Sequence, residues 1–408
     1  MPREGIWLPS RRAIVHVAAA IMAVVGALTI MFGPDDTPPI SARTYPSYTP
    51  TDPQTVVAHV ARRDPHEVAM RRLLRAAPGR VDLAVQIARG DIQRARTLSD
   101  PRYLGRAQAT LAPWWSQAEP PPEVLLLRAT IRQSLHDFVG ARADLDHLVA
   151  IRPDDAQAHL TRAVVSTIMA DYPAARESCA RVAELAEPLV ATTCVASIDA
   201  VTGKLATATH QLTAVIDQSQ TSAPALRTWA ITALAELSIM GGDYAAATSE
   251  FRTVLDLDPD DAYARAGLAD VLMWTGHPAD ASALVAGRES IDNLLVRRAI
   301  AEHLAAGPDA MKWAGAMRDR IAAAAERGDR IHLREEARFI LEVGRDARRA
   351  LVIALDDWAV QKELADARLV AAAAAAAGDP SAAEPVRTWA RANGVEDAQL
   401  AKSLGSGP

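Results

Sequence analysis

Ten histidines, two cysteines and fifty aspartates and glutamates are the groups with which this 408-residue chain could hold a metal or move a proton. A zinc-binding helix of the hydrolytic kind needs two histidines one turn apart on one face. His332 opens the segment His332-Leu333-Arg334-Glu335-Glu336, which supplies acids but no second histidine and lies among Arg330, Arg334 and Arg338. It reads as a solvated charged face. Asp256-Leu257-Asp258 has the D-x-D pattern that holds a metal in some glycosyl transfers, yet it ends a helix directly before Pro259, where helix termination accounts for it. No G-x-S-x-G turn, Walker loop or G-x-G-x-x-G following a strand occurs. The chain is therefore expected to carry no catalytic residue, no cofactor and no metal, and to act through a surface.

Half of the residues are apolar, so folding is expected along most of the length. The net charge of -6 and the lack of a long basic run leave no electrostatic footprint for DNA or RNA, so no nucleic-acid partner is expected. Ala13 to Phe32 is an apolar run whose one ionisable group is His16. At ~1.5 Å per residue a helix of that length covers ~30 Å, enough to span a bilayer. Arg3, Arg11 and Arg12 precede it and Asp35 and Asp36 follow, which places residues 1–12 in the cytoplasm and the rest of the chain outside it. A cleaved signal peptide is the alternative, but the run is long and Ile40-Ser41-Ala42 is a poor cleavage site. Residues 33–54 are rich in proline and read as an extended stalk.

Beyond the stalk the pattern is helical, and strand-type alternation is essentially absent. Between Arg227 and Asp261 an apolar helix meets Gly241-Gly242-Asp243, a second helix carries Ala247, Phe251 and Val254 on one stripe, and Pro259 closes the unit. Such a unit cannot bury its apolar faces alone and must stack on copies of itself. Ala141, Ala175, Ala208, Ala247 and Ala281 mark the same position at steps of 34, 33, 39 and 34 residues, the longest step holding a polar loop from Asp217 to Ala223. A turn precedes each mark, at His136-Asp137, Ala170-Asp171, Gly203-Lys204, Gly242-Asp243 and Gly276-His277.

In order and spacing, Leu234 and Ala235 on the first helix, Ala247, Phe251 and Val254 on the second and Pro259 at the end resemble a tetratricopeptide repeat. The resemblance implies an all-α fold, a right-handed α-solenoid of stacked helix-turn-helix repeats, which the apolar run precedes as one transmembrane helix. Residues 122–287 hold the clear repeats, 55–121 divergent N-terminal pairs and 288–395 divergent C-terminal ones, with 396–408 left as a tail. About eight or nine pairs are expected in all. Residues 331–363 fit the register only with Asp357 where a small apolar residue belongs.

The resemblance also implies a concave groove lined by set positions of the first helices, which fall on Trp229, Glu236 and Met240 in one unit and on Tyr263, Asp270 and Trp274 in the next. The Lys and Asn residues with which such domains clamp a C-terminal carboxylate are missing there. An apolar groove with an aromatic and acidic patch suits instead a protein or peptide partner with apolar anchors and a cation. In the repeat register Cys179 and Cys194 fall on helices that pack side by side, so they are either a disulfide or two small buried thiols. The chain as a whole is similar to membrane-anchored tetratricopeptide-repeat proteins of proteobacteria. That likeness implies a non-catalytic scaffold, single-pass in the bacterial inner membrane with its bulk in the periplasm. The alternatives are an accessory subunit of an envelope system, of the cytochrome maturation or exopolysaccharide export type, or an enzyme with an unrecognised site.

Overall fold

The computed structural model describes residues 64–98, 102–327 and 333–405. Within them the chain is a succession of α-helices joined by short turns. Three helices and a short fourth lead in: α1 Pro65–Ala76, α2 Val81–Leu98, α3 Arg102–Thr110 and α4 Ala112–Trp115. Five antiparallel pairs follow: α5 Pro122–Ser134 with α6 Phe138–Ile151, α7 Ala156–Ile168 with α8 Tyr172–Leu185, α9 Pro188–Ala200 with α10 Leu205–Gln218, α11 Pro224–Met240 with α12 Tyr244–Leu257, and α13 Ala262–Trp274 with α14 Pro278–Val285. The C-terminal part continues with α15 Asp292–Leu304 and α16 Ala310–Arg327, then α17 Leu333–Phe339 running into a π-turn at Ile340–Gly344 and paired with α18 Ala347–Val360. It ends with α19 Leu364–Ala376, a 3-10 turn and α20 Glu384–Asn393, and finally α21 Ala398–Leu404. The proposed membrane segment 13–32, its cytoplasmic flank and the stalk lie outside the described residues. Among the described residues no helix is long and apolar enough to cross a membrane.

One backbone device makes the turn inside each pair. A residue in the turn just past the first helix takes a positive φ, at His136, Ala170, Gly203, Gly242, Gly276, Ala306, Arg345 and Gly378. The following N–H then reaches back to a carbonyl of the last turn, as in Asp137 to Arg132 at 2.9 Å, Asp171 to Ser166 at 2.8 Å and Asp243 to Ser238 at 2.9 Å. This is the Schellman closure of a helix C-terminus. Where that next residue is aspartate it also caps the second helix, the Asp137, Asp171 and Asp243 carboxylates accepting from the N–H of Gly140, Ala174 and Ala246. A side-chain cap of this kind is worth ~1 kcal/mol. Proline at the first turn of α5, α9 and α11 fixes φ where no N–H is needed.

Small residues let the helices of a pair approach. Ala141, Ala175, Ala208, Ala247 and Ala281 are all fully buried, and Phe251 and Val254 are equally inaccessible one and two turns further along α12. The disulfide between Cys179 on α8 and Cys194 on α9 ties two neighbouring pairs together, with their Cα atoms 5.7 Å apart.

The stack does not stay open. Its C-terminal pairs return against the turn edge of the middle ones. The Lys362 N–H donates to the Ile168 carbonyl at 2.8 Å, the Trp389 indole N–H to the Tyr172 hydroxyl at 3.0 Å, and the Gln399 amide to the Tyr244 hydroxyl at 2.8 Å. The backbones of Gly203 and Gly394 meet so closely that a Cβ added to either would lie 3.3 Å from the other's backbone. Residues 396–408 are thus not a free tail: α21 packs against α11 and α19, with Leu400 buried and the Asp397 carboxylate capping its first turn.

Candidate functional site

The first helices of the two central pairs, α11 and α13, present their side chains to the returning C-terminal part. Tyr263, Asp270 and Trp274 stand two and then one turn apart along α13 and so share one face, and Glu236 on α11 lies beside them. These four line a cavity of about 310 Å³. Its far wall comes from Arg334 and Arg338 on α17, Arg368 on α19 and Gln399 on α21, and Arg297 on α15 closes one side.

Two of the six groove residues expected from the sequence are not there. Trp229 is only 3% exposed and Met240 only 4%, and both belong to the central core. The C-terminal part and the neighbouring pairs cover α11 on both flanks, so positions that would be open in an unclosed stack are interior in this one. Trp274, by contrast, is 38% exposed and sits at the edge of the cavity.

The charges in the cavity are arranged as pairs. Asp270 is held between Arg297 at 2.6 Å and Arg338 at 2.7 Å. Burial disfavours its charged form, but the two guanidiniums outweigh burial and keep its pKa below the ordinary carboxylate value. Arg338 also reaches Glu342 at 2.7 Å. Arg334 bridges Glu363 and Asp366, the latter 1% exposed. Arg368 is paired with Asp397 at 2.5 Å and stands 6.0 Å over the Trp274 ring.

Glu236 is placed differently. Its carboxylate accepts the Tyr263 hydroxyl at 3.0 Å. Burial pushes the Glu236 pKa up, and neither the field of Arg368 nor the Tyr263 hydrogen bond restores it. Burial likewise drives the Tyr263 phenol well above its usual range, reinforced by the adjacent Glu236 charge.

The sequence pattern predicts a solvated charged face for the arginines on α17. Arg334 and Arg338 are instead 17% and 13% exposed at the side chain, and Glu335 is buried beside them. His332 and Arg330 lie outside the described residues. The cation expected for the acidic and aromatic patch is thus supplied in large part by the chain itself, across a fold closure that no local pattern announces. Among the described residues no group of three or more His, Cys, Asp or Glu side chains is placed to hold a metal ion.

Within this arrangement, residues 238–293 match a family model described as a tetratricopeptide repeat. This segment is similar to a tetratricopeptide repeat. It runs from the last turn of α11 through α12, α13 and α14 to the start of α15, and so contains Tyr263, Asp270 and Trp274. Solved structures similar to the chain include a tetratricopeptide repeat protein from Parabacteroides merdae, 14% identical, which covers 71% of this chain and 96% of its own, with a TM-score of 0.37. Others are the human IFIT1 dimer with m7Gppp-AAAA, 10% identical over 80% of this chain and 85% of that one with a TM-score of 0.44, and the APC/C hetero-tetramer Cut9-Hcn1, 13% identical over 75% and 52% with a TM-score of 0.40. No curated protein matches the sequence.

Proposed function

We propose that the chain is a non-catalytic scaffold that binds a protein or peptide partner, anchored in the bacterial inner membrane through residues 13–32 with its bulk in the periplasm. The observation that carries this reading is the convergence of Glu236, Tyr263, Asp270 and Trp274 on one cavity inside a stack of repeats. Each guanidinium there is paired with a carboxylate, while Glu236 is left to the Tyr263 hydroxyl, an arrangement suited to recognition. The disulfide between Cys179 and Cys194 supports an oxidising compartment, and the apolar run before the stalk supports the anchor. On this reading the partner is another envelope protein, as for an accessory subunit of an assembly or export system.

Photo-cross-linking from the full-length chain in cells tests the surface. A cross-linker replacing Trp274, at the cavity edge, should give one reproducible adduct identified by mass, while the same group at Met311, which is 86% exposed, should not. Equal labelling from both positions, or none from Trp274, removes the cavity edge as the contact. For the compartment, protease added to spheroplasts should degrade the repeats; full protection would overturn the periplasmic placement.

A further inference from the structure

We propose that the cavity between α11, α13 and α19 takes one organic cation, an ammonium or guanidinium group, at the Glu236 carboxylate. The cavity and its immediate surround hold four guanidiniums, and each is already engaged. Arg297 is on Asp270, Arg338 on Asp270 and Glu342, Arg334 on Glu363 and Asp366, and Arg368 on Asp397. With Glu335, which also lines the cavity, and Glu236 added, seven carboxylates face four guanidiniums. Among the described residues Glu236 has no guanidinium or ammonium within 4.0 Å, and its neighbour is the neutral Tyr263 hydroxyl.

A half-buried carboxylate such as Glu236, without a counter-ion, either takes up a proton or binds a cation. The upward shift that burial imposes on Glu236 is the first response. A bound cation would give the second, and the cavity is built to admit one. Tyr263 and Trp274 line the same space, where Arg368 already stands 6.0 Å over the Trp274 ring, and exposure of Trp274 marks the side from which a cation enters. About 310 Å³ accommodates an alkylguanidine or alkylammonium the size of an amino-acid side chain. Such a group can come free in solution or on a Lys or Arg side chain of a partner; the second source rests on the scaffold reading above, the first does not.

Titration calorimetry on the full-length chain separates these. The probes are agmatine, the blocked tripeptide acetyl-Ala-Arg-Ala-amide, and uncharged pentylurea. At least one of the two cations should bind saturably with one site per chain, and pentylurea should not. Glu236→Gln, which keeps the shape and removes the charge, should weaken the cation by about tenfold or more, and Trp274→Leu several-fold. Urea midpoints of both variants, close to that of the parent, exclude unfolding as the cause. Binding of agmatine alone assigns the pocket to a free amine and removes the peptide reading at this site, while tripeptide binding assigns it to a partner's side chain. No saturable binding by either cation, equal binding by pentylurea, or unchanged affinity in Glu236→Gln overturns the proposal.

Discussion

The Phe251 ring on α12 lies directly against the backbone of Gly267 on α13, so that a Cβ on Gly267 would stand 2.4 Å from Cζ. Phe251 is fully buried at this junction between two pairs. Gly267→Ala should destabilise the protein by ~1–3 kcal/mol, because the ring has no free space into which to move. Phe251→Leu in the same background should recover part of that loss, and the coupling read from urea denaturation of both single variants and the double variant checks the contact.

Removing the disulfide by Cys179→Ala with Cys194→Ala should cost ~3 kcal/mol in the chain-entropy view, since it closes a loop of 15 residues. The urea midpoint of the parent should fall by the same amount in reductant, and that of the double variant should not respond. A free-thiol titration of the unreduced, unfolded parent should find none.

Glu363 gives the stability a pH dependence. Burial and the neighbouring Asp366 charge push its pKa up to about 7, against the pull of Arg334, where the ordinary value is 4.5. The folded state therefore binds more protons than the unfolded state between these values, so its contribution is present at low pH and is lost as pH rises through the window. Denaturation midpoints measured from pH 5 to 8 should decline over that range from this group, and Glu363→Gln should flatten the decline. A steeper fall in the variant would contradict the assignment.

The returning part of the chain is held by Trp389 and Tyr172. Trp389→Phe keeps the ring against Trp358, with which Trp389 makes an edge-on contact at 5.2 Å, and deletes the N–H that donates to Tyr172. A loss of ~1–2 kcal/mol is expected, with faster hydrogen exchange in α20 and α21 than in α5 and α6. Uniform acceleration along the chain would mean that the closure does not open as a unit.

Arg345 occupies a left-handed position, φ 54°, and is exposed. Arg345→Gly should raise stability by ~0.5–1 kcal/mol, the relief of side-chain strain exceeding the added freedom of the unfolded chain. Thermal melting checks it.

Much of the local fold could be read from single positions. The dipeptides His136-Asp137, Ala170-Asp171, Gly203-Lys204, Gly242-Asp243 and Gly276-His277 are each a positive-φ residue followed by the start or cap of the second helix. What resisted was non-local or irregular. The π-turn at Ile340–Gly344 adds a residue to the first helix of its pair, so the Asp346 N–H reaches six residues back, to Ile340, where the other turns reach five. The second helix of this pair keeps the register, Ala350, Ala354 and Asp357 following Asp346 as Ala247, Phe251 and Val254 follow Asp243. Asp357 is nonetheless buried, 3% exposed, beside Gln361 and in the field of Arg334 and Asp366. Four of the groove residues reached the cavity because helical spacing alone puts Tyr263, Asp270 and Trp274 on one face. Trp229 and Met240 did not, because their fate depends on what covers α11. The contact from Tyr172 to Trp389 spans 217 residues, and no periodicity within a repeat encodes it.

That same long contact sets how the protein bears load. A stack of helix pairs joined only to its neighbours extends under tension like a coil spring, each junction yielding a little. Here a clasp at residues 172 and 389 makes the intervening chain a closed hoop. Tension applied at the two ends of the described chain stretches the pairs before α8 first. The hoop opens only when the contacts at Tyr172–Trp389, Ile168–Lys362 and Tyr244–Gln399 are lost together.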